Sequence, residues 1–220
     1  MSQKADKLTY RQLEGSAKER ARLHYIEHWI HDDWYDYIYE EAIEDGKPLG
    51  FEISNIFFSG FCSQGDGASW DGSVDLHKFL DNMPQHKSIG WDCWKWLIED
   101  RVVSPFLKIS AGSNHYSHSG TMKWHDMYDY TPEEDDVITV DCILKGTPIK
   151  TVYDLIAHDT ECYVKTIDDL CNLAIDDARK YADEIYERLH DGYQGECDDH
   201  NIADAYDANE VFFNEEGEIV

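Results

Sequence analysis

The side chains best able to do chemistry crowd one short stretch, Ser59-Gly60-Phe61-Cys62-Ser63-Gln64-Gly65-Asp66-Gly67-Ala68-Ser69-Trp70-Asp71-Gly72. Ser63, Gln64, Asp66 and Ser69 supply hydroxyl, amide and carboxylate groups, and four of the chain's fourteen glycines let the backbone turn around them. A second source of reactive groups is His115-Tyr-Ser-His118. An imidazole oriented by a carboxylate and set within hydrogen-bond reach of a hydroxyl can act as a general base. Ser63, Asp66, His115 and His118, with Gln64, Ser69 and Asp71 beside them, therefore make the catalytic candidate of a small hydrolase or nucleotide-binding enzyme. If residues 115 to 118 form a strand, the two histidines face opposite ways, because their offset is odd; a turn at Tyr116-Ser117 would bring them together. The sequence has no HExxH, P-loop, GxSxG, dinucleotide fingerprint or paired zinc spacing.

The same stretch has a plainer use. Asp66-Gly67 is a strong hairpin dipeptide, and Gly60 and Gly72 fit a bulge or a close backbone approach on either side. Such a loop either closes a hairpin or offers Ser63, Gln64, Asp66 and Ser69 to a partner from its rim. His24, His28 and His31 fall on neighbouring helical turns, but no cysteine or second ligand cluster adjoins them. The sequence calls for no metal and no cofactor.

Charge narrows the choice of partner. The 46 Asp and Glu against 19 Lys and Arg give a formal charge of −27, a field that disfavours direct contact with nucleic acid or an anionic membrane. It attracts proteins with basic surfaces, including those that grip phosphate backbones. Carboxylates crowd 32–44, Glu133–Asp136 and a later stretch holding Asp168, Asp169, Asp176, Asp177, Asp183, Glu184 and Glu187. At helical spacing such a face can imitate a row of phosphates, although a merely solvated face reads the same way. Six cysteines without a CxxC pair, and a polar start without a secretory signal, fit a reducing cytoplasm. No apolar run approaches the roughly 20 residues of a membrane span.

The elements that must position these groups follow from periodicity. Residues 1 to 15 are polar and read as a frayed start, followed by one domain over 16–220. Leu23, Ile26, Ile30, Trp34, Tyr37 and Ile38 predict one long helix from Ala17 to about Glu44. Phe51–Phe58 and the run through Trp70 to Leu76 predict an antiparallel strand pair. Helical packing follows from Asp75 to Asp100, interrupted near Pro84, with Trp91 and Trp94 in the core. Val102–Ser110 and His115–Met127 predict a second strand pair, and Val137–Leu144 a further extended segment. Ile167, Leu170, Cys171, Ala174, Ala178, Tyr181, Ile185 and Leu189 form the cleanest helical stripe, capped by Thr166 with Asp169 and stopped at Gly192. From about 191 the chain carries ten acids and no Lys or Arg, with a short helix around Ile202–Tyr206 and a small hairpin about Asn214–Gly217. The fold class is α+β, a mainly antiparallel sheet of about four or five strands with a long N-terminal helix and C-terminal helices.

With Phe58–Gly72, Asp33-Trp-Tyr-Asp-Tyr-Ile-Tyr39, His115–His118, Tyr186-Glu-Arg-Leu-His190 and Asn209–Phe213 in place, the chain resembles a family of uncharacterised proteins spread through bacteriophage, prophage and plasmid genomes. The resemblance runs from about residue 20 to the end and implies a phage-type origin and action in the cytoplasm of a bacterial host. It supplies no catalytic residues. Joined to the charge, it leads to the expectation of a non-enzymatic accessory protein that binds and inhibits or modulates a host defence or nucleic-acid-acting protein through a basic surface, with DNA mimicry as one means. An enzyme built on the loop and histidines, an antitoxin-like partner of a toxin, and a homo-oligomer stand as alternatives.

Overall fold

The computed structural model describes residues 7–83, 88–112, 117–125, 139–140 and 147–220. Its helices are α1 (Gly15–His28), α2 (Asp36–Gly46), α3 (Leu76–Asn82), α4 (Ile89–Glu99), α5 (Ile149–His158), α6 (Ile167–Glu196) and α7 (Asp199–Ala208). Its strands are β1 (Phe51–Phe58), β2 (Ala68–Asp75), β3 (Phe106–Ser110), β4 (Lys123–His125), β5 (Thr139–Val140) and β6 (Thr147–Pro148). The fold is α+β. The chain divides into two compact units where the sequence suggests one domain: residues up to Ile38 with Glu187–Val220, and Tyr39–Tyr186.

In the larger unit a four-stranded antiparallel sheet runs in the order β1-β2-β3-β4, and β5 pairs with β6 separately. A bulge at Ser54 sets which side chains of β1 turn inward. Before it Phe51 and Ile53 are buried; beyond it Ile56 and Phe58 are half-buried while Asn55 and Phe57 are exposed. The extra residue switches the parity of the strand, so both ends keep an aromatic on the covered side. Gly72 sits opposite Ile53, where a Cβ would overlap the carbonyl oxygen of Glu52.

The stripe on α6 supplies the other half of this core. Leu170, Cys171, Ala174, Ala178, Tyr181 and Ile185 are all buried. Trp70 of β2, wholly buried, donates from Nε1 to Ala178 O at 3.2 Å, and Phe51 packs its ring 5.6 Å from Trp70 and 5.3 Å from Tyr181. Burying large aromatics is favourable where the indole or phenol polar atom finds an acceptor: Trp94 Nε1 donates to Val164 O and Tyr181 Oη to Ala42 O. Asp75 starts α3, its Oδ1 accepting from the N–H groups of His77 and Lys78 at 3.0 and 3.2 Å.

The smaller unit has its own core of Tyr10, Leu13, Ala21, Tyr25, Ile202, Ala203, Tyr206 and Phe213. The frayed start does not hold over residues 7–15, because Leu8 bridges to Phe213 and Tyr10 and Leu13 are buried. The small hairpin is present, with Asn214 N–H donating to Glu218 O and Val220 N–H to Phe212 O, both at 2.9 Å.

Two helix limits differ from the sequence expectation. The single helix from Ala17 to Glu44 is broken: α1 ends at His28, Ile30 N–H reaches back five residues to Tyr25 O, and the next helix starts at Asp36. His31-Asp32-Asp33 follows that widened turn, and aspartates compete for backbone groups where a helix would have to resume. The core face of α1 is Ala21 and Tyr25, which leaves Leu23 at 47% exposed. Gly192 does not stop α6, which runs on to Glu196; it lies where a Cβ would come 2.6 Å from Ile38 Cδ1.

No helix among the described residues is long and apolar enough to cross a membrane.

Candidate functional site

Strands β1 and β2 hold the Gly60–Gly67 loop between them, and its shape is made by Asp66 rather than by a two-residue turn. Asp66 Oδ2 accepts from Cys62 N–H at 2.8 Å and from Ser63 N–H at 2.6 Å, while Asp66 N–H donates to Ser63 O at 3.1 Å. The left-handed positions are Gly60 and Gly65, with φ of 109° and 103°. Asp66-Gly67 therefore does not form the expected tight hairpin: Gly67 has no positive φ, and the turn proper is Ser63–Asp66. The loop folds back on aromatics, Phe58 and Phe61 with ring centroids 4.7 Å apart and Phe61 5.6 Å from Tyr186 of α6, whose Oη donates to Gly60 O at 3.3 Å. Burial first, then the negative charge of Asp66, raises the Tyr186 phenol above its ordinary pKa.

His118 comes to this loop, but not with its imidazole. Ser59 Oγ donates to Ser117 O at 3.1 Å and accepts from Gly67 N–H at 3.2 Å, which docks the Ser117-His118 backbone against the hairpin. His118 Nδ1 instead accepts from Gly120 N–H at 3.1 Å, capping the short turn Ser119–Thr121. No hydrogen bond joins Asp66 to His118 among the described residues, and the Asp66 carboxylate is engaged by its own loop. His115 lies outside the described residues. Asp71 serves the sheet, its Oδ1 accepting from Ala111 N–H at 2.6 Å. The arrangement of Ser63, Asp66 and His118 thus lacks the linked hydrogen bonds of a hydroxyl, base and orienting acid.

Of the expected contact residues, Ser63 and Gln64 are exposed on the loop tip and Asp66 is half-buried. Ser69, in contrast, is buried in β2 at 1% exposed, away from the loop rim. His24 and His28 place their rings 4.8 Å apart, and no group of three or more His, Cys, Asp or Glu among the described residues is arranged to hold a metal.

The acids of α6 fall into rows. Asp169, Asp176 and Asp183 recur at seven-residue steps, drifting only about 20° per step, so they share one strip about 21 Å long. Asp177 and Glu184 form a second row on the neighbouring flank, with Asp168 apart from both. These carboxylates are not equally free. Asp169 Oδ2 accepts from the N–H groups of Lys165 and Thr166, which holds its pKa below the usual value, the Lys165 bond being the larger cause. Asp176 pairs with Arg179 at 3.2 Å and Asp177 with Lys180 at 2.6 Å. Asp168, Asp183 and Glu184 stand exposed.

Beside the second row is a cavity that periodicity alone does not reveal. It has a volume of about 260 Å³, with the buried Phe51, Phe79 and Tyr181 at its floor and the exposed Leu49 at its mouth. Asp177, Lys180 and Glu184 border it from α6, and Asn82 from α3. The one signal in the sequence is the seven-residue repeat from Asp177 to Glu184 across Tyr181, which puts two acids next to a core aromatic.

A family model described as a domain of unknown function (DUF8835) matches residues 34–199. No curated protein and no solved structure matches the chain.

Proposed function

We propose, from the premise that the chain belongs to the DUF8835 family, that it is an acidic accessory protein that binds a basic protein and alters that protein's activity. The observation that carries this reading is the exposure of Asp168, Asp183 and Glu184 along one helix of a chain with formal charge −27. A helix holds such groups at fixed spacing with the backbone already ordered before binding, and complementary charge speeds and directs association. The phage-like resemblance adds the setting: the bacterial cytoplasm, with a host defence or nucleic-acid-acting protein as the target. An antitoxin-like pairing is the same physical interaction with a toxin as the partner.

Imitation of duplex DNA is the narrower form of the proposal. The α6 strip offers one carboxylate about every 10.5 Å, against one phosphate about every 1.7 Å of duplex axis. That spacing supports recognition by a protein groove with a few basic side chains over imitation of a continuous phosphate track. The competing catalytic reading is weakened by the commitment of Asp66 to Cys62 and Ser63 and of His118 to Gly120.

The test is capture from bacterial lysate on the immobilised full chain, beside a variant with Asp168→Asn, Asp183→Asn and Glu184→Gln. The proposal expects basic proteins that elute with salt and are reduced on the variant. Retention of none, or equal retention by both, overturns it.

A further inference from the structure

The cavity beside α6 is built unlike the rest of the acidic surface. Its floor rings are rigid: Phe51, Phe79 and Tyr181 are 3%, 2% and 4% exposed, and Tyr181 is tied by its hydroxyl to Ala42 O at 2.6 Å. Its volume of about 260 Å³ falls short of the roughly 300–1,000 Å³ of sites that enclose whole small molecules, and is the size of a cleft for one long side chain. Its border carries two carboxylates and one ammonium. Lys180 already neutralises Asp177, so Glu184 leaves the rim with a net negative charge. The occupant such a cleft selects has an apolar stem and a cation at its end.

We propose that this cleft takes an arginine side chain of the basic partner, its stem against the apolar lining of Leu49 and Met83 and its guanidinium paired with Glu184. The inference rests on the reading of the protein as a binder of basic proteins and names the anchor it uses. Arginine fits better than lysine because its planar cation sheds water more readily and meets a carboxylate with two parallel N–H groups. Arginine is also enriched among the few side chains that carry most of an interface's affinity, which sit in desolvated pockets near its centre. Lys180 is a built-in competitor. It occupies Asp177, and an incoming guanidinium has to work around it or displace it.

Fluorescein-labelled tetra-arginine and tetra-lysine peptides, titrated into the full chain at low salt with anisotropy as the readout, test the proposal. The arginine peptide binds about fivefold or more tightly than the lysine peptide. Leu49→Trp, which fills the mouth, abolishes that preference; Glu184→Gln, at an exposed position that leaves the fold intact, weakens arginine binding more than Asp154→Asn does. Lys180→Gln, by freeing Asp177, strengthens it more than Lys150→Gln does. Equal affinity for the two peptides, or variants that act alike wherever the charge is changed, overturns the arginine cleft and leaves the broader acidic-surface reading standing. Preference for arginine that survives while the lysate holds no basic partner overturns the broader reading and leaves the cleft.

Discussion

Gly67 lies flush against His118, so that a Cβ at Gly67 would stand 2.6 Å from His118 Cβ and 2.9 Å from its Cα. The contact is between backbone and the root of a side chain, neither of which can swing aside. It explains why a glycine follows Asp66 although the turn proper lies earlier, at Ser63–Asp66, and needs left-handed backbone only at Gly65. Gly67→Ala is expected to cost about 1–3 kcal/mol of stability by forcing the hairpin and the Ser117-His118 segment apart. Urea denaturation measures it. A midpoint equal to that of the parent chain would mean the two segments are not packed as described.

The start of α6 is held by a reciprocal pair, Asp169 N–H donating to Thr166 Oγ1 at 3.1 Å and Thr166 N–H to Asp169 Oδ2 at 2.9 Å. Thr166→Ala should lower stability by about 1 kcal/mol. The Asp169 carboxyl has its pKa lowered in the folded chain, so its contribution is present above the ordinary carboxylate pKa and fades as pH falls through the lowered value. The stability gap between the parent and Asp169→Asn is therefore expected to be open at neutral pH and to close under strong acid. A gap independent of pH would remove the capping role and return Asp169 to the pool of free surface acids.

Much of this architecture can be read from side-chain spacing. The α6 stripe is legible because seven of its eight apolar positions are buried, from Leu170 to Leu189. The Thr166 cap and the interruption between α3 and α4 are legible because short-range chemistry sets them. What is missed depends on contacts between residues remote in sequence. Gly192 reads as a stop, yet it is a close approach to Ile38 inside a continuing helix. The break after His28 carries no Gly or Pro to announce it. At the candidate site the sequence groups Asp66 with His118, and the chain does bring His118 against Gly67, the neighbour of Asp66. Which way the Asp66 and His118 side chains turn, each toward its own loop, is decided by hydrogen bonds that spacing does not encode. The cleft lined by Leu49, Phe51, Phe79 and Tyr181 draws on α6, β1, α3 and the turn before β1, so beyond the Asp177–Glu184 repeat no local pattern announces it.

Tyr206 ties the core of the smaller unit to alkaline pH. Its ring is wholly buried, its hydroxyl donates to Ala21 O at 2.9 Å, and burial pushes its phenol up to about 12. Tyr10 nearby is raised too, by burial and then by its hydrogen bond to Asp199. Since the folded values lie above the unfolded value near 10, the contribution is complete below pH 10 and is lost as pH climbs through about 12. Denaturation midpoints recorded upward from neutral pH should fall more steeply above pH 10 for the parent than for Tyr206→Phe. The variant itself should cost about 1 kcal/mol at neutral pH for the lost hydrogen bond. Parallel declines would show that the phenol ionises as readily in the folded chain as in the unfolded one.

Gly192 and Gly195 stand three residues apart in α6 and should answer oppositely to alanine. Around Gly195 there is nothing within 4 Å of an added Cβ, and its backbone is already helical, so Gly195→Ala reduces the entropy of the unfolded chain without crowding the folded one. A gain of about 0.5 kcal/mol is expected, modest because the position is near the helix end. Gly192→Ala would receive the same backbone benefit, but its Cβ would meet Ile38 Cδ1 at 2.6 Å and Trp34 Cζ3 at 3.3 Å. Ile38 is 3% exposed and has little room to change rotamer. The crowding therefore offsets the propensity, and Gly192→Ala should fall about 1 kcal/mol or more below Gly195→Ala in the same urea titration. If both substitutions stabilise equally, Gly192 is an ordinary helix glycine and Ile38 does not pack where it is placed.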